Sequence, residues 1–272
     1  MLIGLRYSNT CKLSLCFRDT GSSGPPVVFL HGTTANLGVW DPVADQLGNQ
    51  IRAIAIDQRG HGRSDKPSTG YAAADYCSDV LALVSELGCA PVVIAGHSLG
   101  ARNAIVLGAT HPELVAGVVA VDYTPYVETQ VLDDLETRVR SGDREFRSKV
   151  EVEEYLRRRY PLIPDAALRR RVAYGHVEVG DSWHALADPS AMVQTVDGLR
   201  QDFADEMRQI KVPMTVMRGE ESKIVSRAAF DATKTLRPDV RTIELSGVDH
   251  YIPEESPGTV ADEIAQMLQR IA

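Results

Sequence analysis

The chain has 272 residues, of which 44% are hydrophobic and 24% charged, with a formal net charge of −8. That composition suits a globular protein with a large core, as one domain or as a core with an insertion. The acidic balance speaks against a nucleic-acid partner, which needs a basic face, and no apolar run approaches the roughly 20 residues of a membrane span.

The opening MLIGLRYSNTCKLSLC lacks an apolar stretch followed by a small-residue cleavage site, so no signal peptide is expected. Within it, KLSLCFRD (12–19) alternates apolar and polar residues and predicts an antiparallel edge strand. Cys11, Cys16, Cys77 and Cys89 form no CxxC pair and read as small buried residues of a reduced, cytoplasmic protein. Next come short β-branched runs: PVVFL (26–30), IRAIAID (51–57), PVVIAG (91–96) and VAGVVAVD (115–122). Their nearly continuous apolar character predicts strands covered on both faces. Helical patterns lie between them, as in YAAADYCSDVLALVSELG (71–88) and LGARNAIVLGATHP (99–112). This alternation predicts an α/β fold with a mostly parallel sheet wrapped by helices.

The rhythm breaks near residue 123 and resumes near 211 with VPMTVMRG (212–219) and VRTIELSG (240–247). Residues 1–122 and 211–272 therefore read as the core. Residues 123–210, charged and helical in pattern, read as an insertion over the carboxyl edge of the sheet, where ligands bind in such folds. In EVEEYLRRRY, Glu153 and Glu154 stand four before Arg157 and Arg158, the spacing of helical ion pairs. Four before Arg159 is Tyr155, which leaves that guanidinium free at this spacing and suited to a carboxylate ligand. Arg138 has Asp134 four before it, and Tyr160 ends its helix before Pro161.

The strongest local signal is GHSLG (96–100), a G-x-S-x-G between a buried strand and a helix. Its glycines leave room for a sharp turn, on which Ser98 projects its hydroxyl at the top of the sheet. A nucleophilic serine needs two donors for the oxyanion. The N–H of Leu99 is one candidate. The other is the N–H of Thr33 in HGTT (31–34), where Gly32 permits close approach. Of seven histidines, only His250 follows the last strand, the place of the base in this chain order. His61 and His97 sit inside turn motifs and read as structural or site-lining residues, His31 as packing under the oxyanion loop, and His111 as marking a helix end. His176 and His184 fall in the insertion, facing substrate or solvent, and the neighbouring Trp183 reads as packing.

The acid that orients the base is less direct. The turn VMRGEESKIVS (217–227) carries Ser222 where an aspartate is usual. Glu220 and Glu221 lie too near the strand end, Asp249 would have to fold back on its neighbour, and Asp57 reads as tying down the DQRGHGRSD loop. Asp122 closes the strand right after the nucleophile helix, at the edge that carries Ser98, and is the candidate.

FLHG, DQRGHGRSDKP, GHSLG and the late GVDH resemble the α/β-hydrolase superfamily across essentially the whole chain. GHSLGARN, VDYTPYVET, RGEESKIVS and GVDHY are similar to the (E)-2-(acetamidomethylene)succinate hydrolases of bacterial vitamin B6 degradation. That resemblance implies an α/β-hydrolase fold with a helical cap and an acid at Asp122. It also implies a substrate with two carboxylates, bound by Arg138, Arg159 and Tyr160. Residues 175–190 are the least family-like.

The expectation is a serine hydrolase that opens an amide or ester bond of a small anionic substrate. Alternatives on the same triad are a carboxylesterase or lactonase and a carbon–carbon bond hydrolase; a ligand sensor is the non-catalytic alternative. A dehalogenase is disfavoured, because it would carry an aspartate in place of Ser98. No metal-ligand spacing and no phosphate-cradling loop is present, so neither metal nor cofactor is expected. Nor is a membrane partner; a homodimer is compatible with such a chain.

Overall fold

The computed structural model describes residues 5–8, 13–142 and 144–272; Cys11 and Lys12 lie outside them. In chain order the core begins with β1 (Arg6–Ser8), β2 (Leu15–Asp19), β3 (Pro26–Leu30), α1 (Asp41–Leu47), β4 (Arg52–Ile56) and α2 (Ala73–Glu86). It continues with β5 (Val92–His97), α3 (Leu99–Thr110) and β6 (Val115–Val121). Then follow α4 (Thr129–Arg140), α5 (Lys149–Arg159), α6 (Asp165–Gly175), β7 (His176–Val179), β8 (Ser182–Ala185), α7 (Pro189–Gly198) and α8 (Ala204–Gln209). The chain closes with β9 (Met214–Gly219), α9 (Arg227–Leu236), β10 (Arg241–Leu245), α10 (Ile252–Glu255) and α11 (Pro257–Ile271).

Eight strands form one sheet in the order β1-β2-β4-β3-β5-β6-β9-β10, parallel from β4 to β10. Strand alternation splits the core into two layers. Val28, Leu30, Ile94 and Ala120 face the side packed by α2 and α3, while Val27, Phe29, Val93 and Val119 face the side covered by α1 and α11. Each of the valine, leucine, isoleucine and phenylalanine side chains contributes about 1.5–3 kcal/mol on burial, which is why these runs carry almost no polar residues.

Strand β2 is antiparallel to its neighbours, but it is not the edge: β1 lies outside it, with Tyr7 opposite Cys16. Its polar residues are buried instead of facing water because they are paired. Arg18 contacts Asp41 at 2.9 Å and Asp19 contacts Arg52 at 2.7 Å. Cys16, Cys77 and Cys89 are buried free thiols.

The segment between β6 and β9 is not wholly helical. β7 and β8 form an antiparallel hairpin closed by Gly180 and Asp181, with Gly180 at φ 61. The VEVGDSW stretch carries the hairpin signal, a glycine–aspartate pair between short strands. α5 and α6 share a small core of Phe146, Val152, Leu156, Tyr160, Ile163 and Val172. Trp183 packs against that cluster, its N–H and C=O both bonded to Phe146. The helical ion pairs expected from Glu153 and Glu154 do not form among the described residues, because Arg157 turns to Asp165 and to the Ile163 carbonyl. No helix of the described residues is long and apolar enough to cross a membrane.

Candidate active site

The carboxyl ends of β3, β5, β6, β9 and β10 lie side by side, so five loops converge on one rim. β3 pairs with both β4 and β5, and the chain runs outward in opposite directions from there, which opens a crevice at that point.

Ser98 follows β5 at φ 52 and ψ −115, the sharp turn that presents a side chain above the sheet. The flanking glycines are required: a Cβ on Gly96 would meet the Gly100 carbonyl, and one on Gly100 would meet the Leu30 carbonyl. Among the described residues only Thr34, Ser98 and Asp122 are non-glycine residues at positive φ, and all three sit at this rim. Backbone strain of that kind concentrates at functional sites.

Asp122, fully buried after β6, accepts at Oδ2 from His250 Nδ1 at 2.6 Å and from Ser222 Oγ at 2.5 Å, and at Oδ1 from the Gly219 N–H at 2.8 Å. The missing acid of the late turn thus has an explanation. Ser222 occupies its place and serves the carboxylate one strand away. Its oxygen accepts from the Ile224 and Val225 N–H groups at 3.2 and 3.1 Å, so its single proton goes to Asp122. Sequence reasoning treated Ser222 as an absence; the signal was a hydroxyl at the position where the acid is expected.

The other carboxylates are engaged elsewhere. Glu220 accepts from Ser246 and Gly247, Asp249 from its neighbouring N–H, and Asp57 from the Leu37 and Arg63 N–H groups. The late loop comes close because Gly219 has no side chain: a Cβ there would meet the Asp249 carbonyl. His97 holds the same loop, its Nε2 2.8 Å from the His250 carbonyl.

Burial lowers the His250 pKa well below the usual imidazole range, against the pull of Asp249 and with Arg138 and Arg171 adding to the effect, which favours the neutral ring. Burial raises the Asp122 carboxyl, against the pull of the Ser222 hydroxyl and the Gly219 N–H. The Ser222→Ala variant is expected to lower kcat roughly 10-fold at unchanged KM, through loss of a hydrogen bond to a charged acceptor; steady-state kinetics checks it.

Ser98 and His250 line one narrow cleft of about 30 Å³ together with Gly32, Thr33 and Tyr251. The N–H groups of Thr33 and Leu99 have no acceptor among the described residues. Leu99 opens α3, where unpaired N–H groups are expected.

Arg138, Arg159 and Tyr160 line this cleft from the insertion side. Arg138 does not pair with Asp134; its Nη2 donates to Tyr251 Oη at 3.2 Å. Arg159 donates to Tyr155 Oη at 2.8 Å, to Tyr160 Oη at 3.2 Å and to the Arg138 carbonyl at 3.1 Å. Neither guanidinium has a carboxylate partner among the described residues. A third arginine, Arg171, was not singled out from the sequence. It is buried, paired with Glu254, and stacked 4.1 Å over Tyr160 and 4.9 Å over Tyr251. Its signal was position: with Ala167, Leu168 and Val172 it falls on the buried stripe of α6. Burial raises the Tyr160 phenol, but Arg171, Arg159 and Arg138 outweigh it and bring the pKa down to about 8.

Thr34, Arg159, Tyr160 and Arg171 also line an adjoining chamber of about 580 Å³. His176 and His184 border that chamber rather than the cleft at Ser98.

Residues 27–263 match the family model described as the alpha/beta hydrolase family. The chain belongs to that family. A curated relative in it, the 2-(acetamidomethylene)succinate hydrolase of Mesorhizobium japonicum, is 45% identical over 246 residues, 90% of this chain and 88% of its own length. The crystal structure of an E-2-(acetamidomethylene)succinate hydrolase superimposes with a TM-score of 0.95 at 42% identity, covering 99% of this chain and 100% of the other. That of an esterase from M. tuberculosis superimposes at 0.81 with 26% identity, covering 99% and 93%. With that family and these relatives, the chain is a hydrolase.

Proposed function

We propose that this hydrolase cleaves the amide bond of (E)-2-(acetamidomethylene)succinate, or of a near analogue, through an acyl-enzyme on Ser98. The observation that carries the reading is the pair of guanidinium groups, Arg138 and Arg159, set beside Ser98 without carboxylate partners among the described residues. Half-buried cations without counter-ions favour an anionic ligand, and a dicarboxylate supplies two charges. The 45% identity to a protein named for that substrate supports it.

In this mechanism Ser98 Oγ attacks the acetyl carbonyl while His250 Nε2 takes its proton, and Asp122 holds Nδ1–H in place. The oxyanion lies against the Thr33 and Leu99 N–H groups. The C–N bond breaks as His250 returns the proton to the leaving nitrogen. Water, activated by the same imidazole, then releases acetate from Ser98. The freed enamine takes up a second water, which releases ammonia, and the resulting β-formyl acid loses carbon dioxide to give succinic semialdehyde. Residues 123–210 act as the cap that supplies the arginines.

Replacing Arg159 by Ala is expected to lower kcat/KM on the dicarboxylate roughly 100-fold, the loss of a charge-assisted, partly buried contact. Turnover of a neutral short-chain ester should stay nearly constant. Equal effects on both substrates, or a parent enzyme that prefers the neutral ester, would remove the anionic reading in favour of a carboxylesterase or lactonase. KM for the dicarboxylate is also expected to rise above pH about 8, as Tyr160 loses its proton and its phenolate repels the substrate and engages the arginines. Tyr160→Phe should abolish that rise in a pH series of KM.

A further inference from the structure

The Gly32–Thr33 peptide, in the loop that lines the cleft with Ser98, is held by a chain of buried hydrogen bonds that the mechanism above does not use. His31, fully buried, bonds through both ring nitrogens: Nε2 lies 3.1 Å from the Gln58 N–H, and Nδ1 2.8 Å from the Gly32 carbonyl. A backbone N–H can only donate and a carbonyl can only accept, so Nε2 carries the lone pair and Nδ1 the proton. The Gly32 carbonyl is held a second time by the Ala35 N–H at 3.2 Å. Because a trans peptide is planar, with its N–H opposite its C=O, fixing this carbonyl fixes the Thr33 N–H in the reverse direction. The packing leaves little freedom: a Cβ on Gly32 would come within 2.9 Å of His97 Nδ1 and 3.2 Å of Ser98 Cβ.

His31 is itself anchored to the nucleophile helix. Arg102 Nε has only protons to give and donates to Asn103 Oδ1 at 2.9 Å. Asn103 must therefore donate through Nδ2, which meets Gln58 Oε1 at 2.6 Å, and Gln58 Nε2 in turn donates to the His31 carbonyl at 2.6 Å. Every amide orientation follows from the arginine, and the relay ends at the oxyanion loop while it starts on α3, the helix that opens after Ser98.

We infer that His31 is a positioning residue that locks the Gly32–Thr33 peptide in the orientation required of an oxyanion donor, with Gln58, Asn103 and Arg102 fixing the distance from that peptide to the nucleophile helix. This rests on the serine-hydrolase reading and deepens it: the hole is preformed, so no reorientation is needed as negative charge develops.

Three measurements test it. Nitrogen-15 spectra of histidine-labelled protein should show His31 neutral with its proton on Nδ1; a proton on Nε2 overturns the lock without any variant having to fold. His31→Gln, which cannot place a donor at the Nδ1 position, should lower kcat on 4-nitrophenyl acetate roughly 10- to 100-fold, part of the loss seen when an oxyanion donor is removed outright. It should weaken a trifluoromethyl ketone, which forms a tetrahedral adduct with the serine, by the same factor, with KM unchanged. His31→Asn, which restores a donor near Nδ1, should recover most of both losses. A competent parent whose His31→Gln variant loses KM and ketone affinity equally, or loses nothing, overturns the lock alone. A parent that neither hydrolyses the ester nor binds the ketone overturns the serine-hydrolase reading and the lock with it.

Discussion

Replacing Ser98 by Ala lowers kcat by roughly six orders of magnitude and leaves the fold unchanged. The size follows from the absence of a substitute. The oxygen that would form the acyl bond is gone, and the Ser222 hydroxyl, which shares Asp122 with His250, has its proton committed to that carboxylate. The fold survives because the strain at φ 52 is set by the turn and is the same for any side chain with a Cβ. The glycines at 96 and 100 that permit the turn are untouched. Paired measurements of kcat and thermal midpoint check both halves; a variant that retains even a hundredth of the activity would contradict the nucleophile's assignment.

The Asp122→Asn variant is expected to lose roughly 10⁴-fold in kcat with little change in KM. Oδ1 receives the Gly219 N–H, so the asparagine oxygen is drawn to that side and its NH₂ takes the place of Oδ2. There it faces Ser222 Oγ and His250 Nδ1, both of which donate to the native carboxylate. Two donors now meet at Nδ1, the imidazole turns to the tautomer protonated on Nε2, and the base has no lone pair for Ser98. Glu220→Gln and Glu221→Gln should leave kcat nearly unchanged, since Glu220 bonds Ser246 and Gly247 and neither carboxylate reaches His250. Reversal of that ranking would return the acid to the late turn.

Most of the fold could be read from sequence because strands buried on both faces leave uninterrupted apolar runs, and PVVFL, PVVIAG and VAGVVAVD mark three adjacent strands of the sheet. The G-x-S-x-G turn was equally open, since its glycines answer to close backbone contact. What escaped depends on partners far apart in the chain. β2 looked like an edge because Arg18 and Asp19 are polar, and only Asp41 and Arg52 explain why they are buried. Arg171 sat within a run of arginines in a charged, helical stretch, and only Glu254, Tyr160 and Tyr251 show why this one is buried. The relay from Arg102 to His31 joins residues over 70 positions apart and leaves no periodic trace.

The central claim is acyl transfer from a small acetamido dicarboxylate to Ser98. Rapid-quench peptide mass spectrometry during turnover of (E)-2-(acetamidomethylene)succinate tests it most directly. The account predicts a transient acetyl group on the peptide holding Ser98, with acetate released in step with its decay. Consumption of the substrate with that peptide unmodified, and with activity persisting in Ser98→Ala, would contradict it.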